Sequence, residues 1–188
     1  MVKNMELKEK ENEIKEKNFL TVDELARTYE VADVTMKAWI CCQKDSGLST
    51  LDLLSVDFKS VKEQLDKKIV PIHIVVNRKM TDLVTNTFFG SDAIDTLEKY
   101  VLKQNSERLF GIRQKIVIHR LRKLGLTPFI LRTFFYRKMV KAHVRNTLIE
   151  HWMGHSKIDS SVEEMKKIYT QAYSHITICK NPLIFLYG

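Results

Sequence analysis

The chain has 188 residues, and 31 Lys and Arg against 23 Asp and Glu give it a formal charge of +8 at neutral pH and a pI near 9.3. That length suffices for a hydrophobic core without disulfide or metal staples, and the charge balance directs the surface field toward polyanions, nucleic acid first. Cys41, Cys42 and Cys179 form no even framework and no spaced ligand pattern, and no apolar run is long enough to span a bilayer. With no leader signature at the amino terminus either, the expectation is a cytoplasmic protein with reduced thiols, no metal site and no membrane partner.

Residues 1–17 interleave Lys and Glu and read as a solvated arm, leaving 18–188 as the folded domain. Thr21 and Glu24 have capping-box spacing, which predicts a helix over 21–29 with Val22, Leu25, Ala26 and Tyr29 on one face. A second helix is expected over 33–44, buried through Met36, Trp39 and Ile40 and ended by Ser46-Gly47. The β-branched stretch 69–76, a turn at 78–82 and a second extended stretch to Phe89 read as a hairpin, with Pro71 placing the first strand at an edge or bulge. Ser91 is the expected cap of a helix carrying Ala93, Ile94, Leu97, Tyr100 and Val101. Further helices are expected over 107–124, 130–142, 146–153 and 161–173, the last opened by Ser161 with Glu164, and an apolar tail follows over 176–187. The fold class is mainly α with a small β-hairpin, an α+β arrangement.

Cationic and imidazole groups fall where a packed core would not request them. Lys79 sits at the predicted hairpin tip, where an amine can reach a phosphate or protonate a leaving oxygen; an exposed turn lysine is the ordinary account. Arg132 lies on the helix after Pro128, and His155 lies at the end of the next helix. A guanidinium fork binds two phosphate oxygens at once, and an imidazole at a helix end can donate to the same group. Singly, Arg132 reads equally as a surface ion-pair partner and His155 as a residue closing a helix.

The segments Leu126-Thr127-Pro128-Phe129-Ile130-Leu131-Arg132-Thr133 and Ile149-Glu150-His151-Trp152-Met153-Gly154-His155-Ser156 resemble the carboxy-terminal catalytic motifs of tyrosine recombinases and phage-type integrases, archaeal ones in particular. Asp45-Ser46-Gly47-Leu48-Ser49-Thr50-Leu51-Asp52-Leu53-Leu54 resembles the family's first box, and Lys79-Met80-Thr81 falls where the family places its hairpin lysine. The resemblance implies a tyrosine-recombinase catalytic-domain fold, double-stranded DNA as partner and no cofactor. In that family a tyrosine attacks a phosphodiester to give a 3′-phosphotyrosine link, while arginines, a lysine and histidine-like groups stabilise the transition state. Carried over by position, Lys79 would be the general acid, Arg132 the second phosphate clamp and His155 the third-box donor.

The pattern is broken at several positions. Ser49 stands where the family has its first arginine, Phe129 where it has a histidine, and Asp159 to Glu164 contain no tyrosine where the nucleophile belongs. The nearest tyrosines are Tyr169 and Tyr173. Losing one preorganised donor costs roughly 3 to 4 kcal/mol in the transition state, so weak or absent strand cleavage is expected. Backbone affinity is lost more gradually, and Arg78, Lys115, Arg120, Arg122, Lys123, Arg137, Lys138, Lys141 and Arg145 are the candidate DNA contacts, with a plain solvated helix face as the competing account. The stretch 1–17 is too short for the separate DNA-clamping domain of full recombinases, so binding is expected to be weak and little selective. Two alternatives stand beside this reading. One is an active recombinase using Tyr169 or Tyr173, with Arg78 or Arg113 in place of the first arginine. The other is a protein–protein module that self-associates through its carboxy-terminal tail.

Overall fold

The computed structural model describes residues 19–78, 83–102 and 106–178. Helix α1 (Val22–Val31) opens with the anticipated capping box, Thr21 and Glu24 each satisfying the other's backbone amide. Asp33 caps α2 (Val34–Ser46) by accepting from the amides of Thr35 and Met36. Gly47 ends it at φ 66°, a left-handed conformation that any side chain would strain. Almost every residue of α2 from Met36 onward is buried, including Lys44 and Asp45, because the helix runs through the centre and packs against neighbours on opposite sides.

Two short helices follow in a stretch to which the sequence reading gave no element: α3 (Thr50–Ser55), capped by Ser49, and α4 (Phe58–Asp66), capped by Asp57. Strands β1 (Ile72–Arg78) and β2 (Leu83–Phe89) pair antiparallel from Ile72 opposite Phe89 to Arg78 opposite Leu83. Pro71 immediately precedes β1, so its missing N–H leaves no gap in the ladder. Ile72, Ile74 and Val76 point into the core, while Val75 and Asn77 face out.

Helix α5 (Ser91–Val101) packs against α2, with Gly90 rather than Ser91 at the cap position. Helix α6 (Gln114–Lys123) starts later than the expected 107, because the backbone there is used elsewhere. Glu107 accepts from the Phe58 amide, and the Leu109 amide donates to Val56, which pins the segment to the start of α4. Helix α7 (Pro128–Lys141) is capped by Thr127 with Pro128 in its first turn, and packs on α2. Helices α8 (Asn146–Trp152) and α9 (Val162–Ala172) follow, the latter capped by Ser161 and continued by a 3-10 turn, Tyr173–His175. Of the anticipated apolar tail, only 176–178 lie within the described residues. Trp39, Phe88, Phe89, Phe110, Phe135, Trp152 and Tyr169 fill the centre of the core. Among the described residues no helix is long and apolar enough to cross a membrane.

Candidate phosphate-binding site and basic surface

Helix α7 carries Arg132 beside the buried Leu131 and Phe135, so its side chain leaves the helix at the edge of the core. Its Nε donates to the carbonyl of Gly47 at 2.9 Å, and Nη2 donates to the carbonyl of Met153 at 3.1 Å. The same Nη2 lies 2.9 Å from Nε2 of His155. Partial burial and then the nearby Arg78 weaken the proton's hold on this guanidinium, although an arginine remains charged through such shifts.

His155 follows α8 through Gly154, which takes φ 77° and folds the chain back so that the amides of Gly154 and His155 close onto His151 and Glu150. Nδ1 of His155 lies 2.5 Å from the Glu150 carboxylate. A carboxylate only accepts, so Nδ1 carries the proton, and Nε2 of the neutral ring then accepts from Arg132. In this geometry Nε2 of His155 is an acceptor toward Arg132. Sequence reasoning gave no role to Glu150 or to His151, whose signal was only their place beside Trp152-Met153-Gly154-His155. His151 is buried; its Nε2 accepts from the Asn86 amide and its Nδ1 donates to the Ser156 carbonyl, which fixes the loop carrying His155 against β2.

Arg78, at the end of β1, enters the same place from the opposite side. Its Nε donates to Asp52 Oδ1 at 3.0 Å, and Nη2 pairs with Asp52 Oδ2. Nη1 donates to the carbonyl of Gly154 at 2.5 Å, and Nη2 also reaches the carbonyl of Met153 at 3.2 Å. The Ser49 hydroxyl donates to Asp52 Oδ2 at 2.6 Å. Asp52, which the sequence reading quoted only as part of the first box, is therefore the carboxylate that orients Arg78.

Tyr169 and Tyr173 are not brought to this site. The Tyr169 hydroxyl donates to the backbone carbonyl of Asp45, and that of Tyr173 donates to the Asp45 carboxylate and accepts from the Asp92 amide. Tyr169 is fully buried. Burial, then Asp45 and Asp92, push both phenols well above their usual range, the reverse of what a nucleophile at neutral pH needs. Lys79 lies outside the described residues. Phe129, one turn before Arg132, is 77% exposed and puts an apolar ring where the family pattern has a donor.

The proposed DNA contacts fall into different states. Lys115, Arg122, Lys123 and Lys141 are exposed on α6 and α7. Arg137 stacks 3.6 Å over the Phe19 ring, and Lys138 lies 5.4 Å from the centre of the Phe134 ring. Partial burial, and then Lys141 and Arg137, lower the proton affinity of Lys138, which marks a local concentration of positive charge. Arg145 is exposed and 3.5 Å from Glu164. Arg120 is paired as well, with Asp33, and this contact ties α6 to the start of α2.

No family model matches the chain, and no curated protein sequence does. Its structure is similar to solved ones. XerA recombinase superposes with a TM-score of 0.64 at 18% identity, over 90% of this chain and 63% of that one. The lambda integrase catalytic core gives 0.56 at 17% identity, over 73% of this chain and 95% of the core. XerH site-specific recombinase, bound to its difH substrate in a pre-cleavage complex, gives 0.58 at 14% identity, over 81% of this chain and 49% of that one. The chain thus spans less than two thirds of the XerA and XerH chains, and nearly all of the isolated integrase core. The fold is accordingly that of a tyrosine-recombinase and integrase catalytic domain.

Proposed function

We propose that the chain binds double-stranded DNA on a recombinase catalytic framework in which strand cleavage is weak or absent. The observation that carries this reading is the contact of Arg132 with His155, 2.9 Å apart, beside a helix whose far end concentrates Arg137, Lys138 and Lys141. A planar guanidinium next to an imidazole suits a phosphodiester oxygen, and the lysine-rich helix ends suit the neighbouring backbone. Solved structures of the same fold were determined on DNA, among them a lambda integrase dimer on a core site and the Tn1549 integrase with a circular intermediate.

Cleavage is opposed by the chemistry around the tyrosines. To act, Tyr169 would have to leave a fully buried position and its hydrogen bond to Asp45, and Tyr173 would have to break contacts with Asp45 and Asp92. The test has two parts. Affinity for random-sequence duplex should fall steeply as salt rises, and affinity that stays flat from low to moderate salt would defeat the electrostatic account. A nicked suicide substrate should give no covalent protein–DNA adduct; an adduct that disappears in Tyr169→Phe or Tyr173→Phe would overturn the inactivity.

A further inference from the structure

Two guanidiniums from distant parts of the chain, Arg78 on β1 and Arg132 on α7, donate to the same carbonyl oxygen of Met153, at 3.2 and 3.1 Å. Each guanidinium raises the electrostatic cost of the other, and Arg78 lowers the proton affinity of Arg132. Among the described residues, Asp52 is the carboxylate that touches either guanidinium, and Glu150 is engaged with His155 instead. Arg132 therefore has no carboxylate in direct contact among the described residues, and the Glu150 charge reaches it only at longer range.

The donor inventory points the same way. An arginine offers five N–H groups. Those of Arg132 on Nε and Nη2 are spent on Gly47, Met153 and His155, while its Nη1 has no partner among the described residues. Arg78 spends Nε, both N–H of Nη2 and one of Nη1, leaving one donor on Nη1. Three N–H groups on two adjacent forks match the oxygens of a phosphate.

Arg78 is also held too firmly for an incidental surface arginine. Asp52 grips it through both Nε and Nη2, and position 154 makes room for it: a Cβ there would lie 2.5 Å from Arg78 Cζ. The Ser49 hydroxyl meets the same Asp52 carboxylate, so position 49 and the Arg78 guanidinium converge on one group.

We propose that Arg78 and Arg132 form a two-arginine clamp on a single phosphate, with Arg78, oriented by Asp52 and accommodated by Gly154, supplying from β1 the cation that position 49 lacks. This rests on the reading that the site receives a phosphate of DNA, and it assigns to a strand residue a task that the sequence pattern places in the first box. Arg78 acts on the ligand directly, whereas Asp52 and Gly154 are positioning residues.

The probe is inorganic phosphate, added at constant ionic strength to the full chain with 15N-labelled arginine. The Nε–Hε resonances of Arg78 and Arg132 should shift together with one shared Kd; a shift of Arg132 alone overturns the clamp. Arg78→Lys and Arg132→Lys, which retain charge and lose the fork, should each weaken phosphate binding by about tenfold to a hundredfold, and the double variant should be little weaker than either. Phosphate affinity unchanged in a folded Arg78→Lys chain also overturns it. Gly154→Ala, which crowds Arg78 without removing its charge, should copy Arg78→Lys. Duplex binding measured in parallel separates the two readings. Phosphate binding through both arginines without duplex binding supports the clamp and sinks the DNA reading. Duplex binding that persists while neither resonance answers phosphate does the reverse.

Discussion

Two ionic clusters are built from the carboxy-terminal end of α2, and they differ in whether their charges are closed off. In the first, Lys44 Nζ lies 2.5 Å from Asp45 and 2.7 Å from Asp92, with side chains exposed by 2% or less. Asp45 also accepts from the amides of Gly90 and Ala93, and Asp92 accepts from Thr177 and the Ile178 amide. Burial pulls the Lys44 ammonium toward neutrality, but Asp45 and Asp92 outweigh it and hold its pKa above the ordinary lysine range. Two residues further on, the Gly47 carbonyl begins the second cluster by accepting from Arg132. There the side chains are partly open and donors are left over. The first cluster uses charge to tie α2, α5 and the segment after α9 together; in the second, guanidinium donors remain without a protein partner among the described residues.

The largest expected effect tests the closed cluster. Lys44→Met leaves two buried carboxylates without their cation, and breaking such a group costs about 3 to 5 kcal/mol, read as a lower midpoint in denaturant unfolding. A loss near zero would erase the contrast between the clusters. Next come Tyr169→Phe and Tyr173→Phe. Each removes a hydroxyl from a closed network, for a loss of about 1 to 3 kcal/mol with no change in duplex affinity.

The pH dependence is smaller and has a definite sign. Burial lifts the Asp45 carboxyl from 3.8 to about 6 despite Lys44. A folded value above the unfolded one means that the folded chain binds the extra proton, so this contribution is complete below 3.8 and is lost as pH rises through about 6. At Asp92 burial is outweighed by Lys44, and the value falls below 3.8, outside that window. Asp45→Asn should therefore gain stability relative to wild type between pH 4 and 6 as pH rises; a constant difference across that range would mean that Asp45 stays ionised.

The sequence disclosed elements whose signals are local. The capping box at Thr21, the Ser161 cap, the Gly47 stop and the β-branched run of β1 all depend on neighbours a few residues apart. It did not disclose α3 and α4, which have only six and nine residues, too few for periodicity to stand out, although Ser49 and Asp57 are ordinary caps. Helix α6 was placed too early because residues 107–109 pair with a distant segment. The site divides in the same way. Arg132 and His155 could be named because each sits in a recognisable string. Arg78 was named for its charge at a hairpin, but its partners Asp52 and Gly154 are 26 and 76 positions away. Tyr169 and Tyr173 drew attention as chemical groups, and only their contacts with Asp45 reveal Tyr169 as a core residue and Tyr173 as a partly buried one packed against the core.

The smallest effect separates open from closed charge on the outer surface. Arg120 and Lys141 are both cations on neighbouring helices, and the sequence gives no reason to treat them differently. Arg120 is paired with Asp33, with side-chain exposures of 31% and 54%. Lys141 is exposed beside Lys138, whose lowered proton affinity registers its charge. A lysine that contacts a phosphate displaces a counterion, so Lys141→Ala should reduce the slope of log affinity against log salt by about 1. Arg120→Ala should leave that slope alone and cost at most about 1 kcal/mol of stability, the usual worth of a solvent-accessible ion pair. Equal slopes for the two variants would mean that DNA draws Arg120 out of its pair, and the line between structural and ligand-directed charge would then have to be redrawn to include α6.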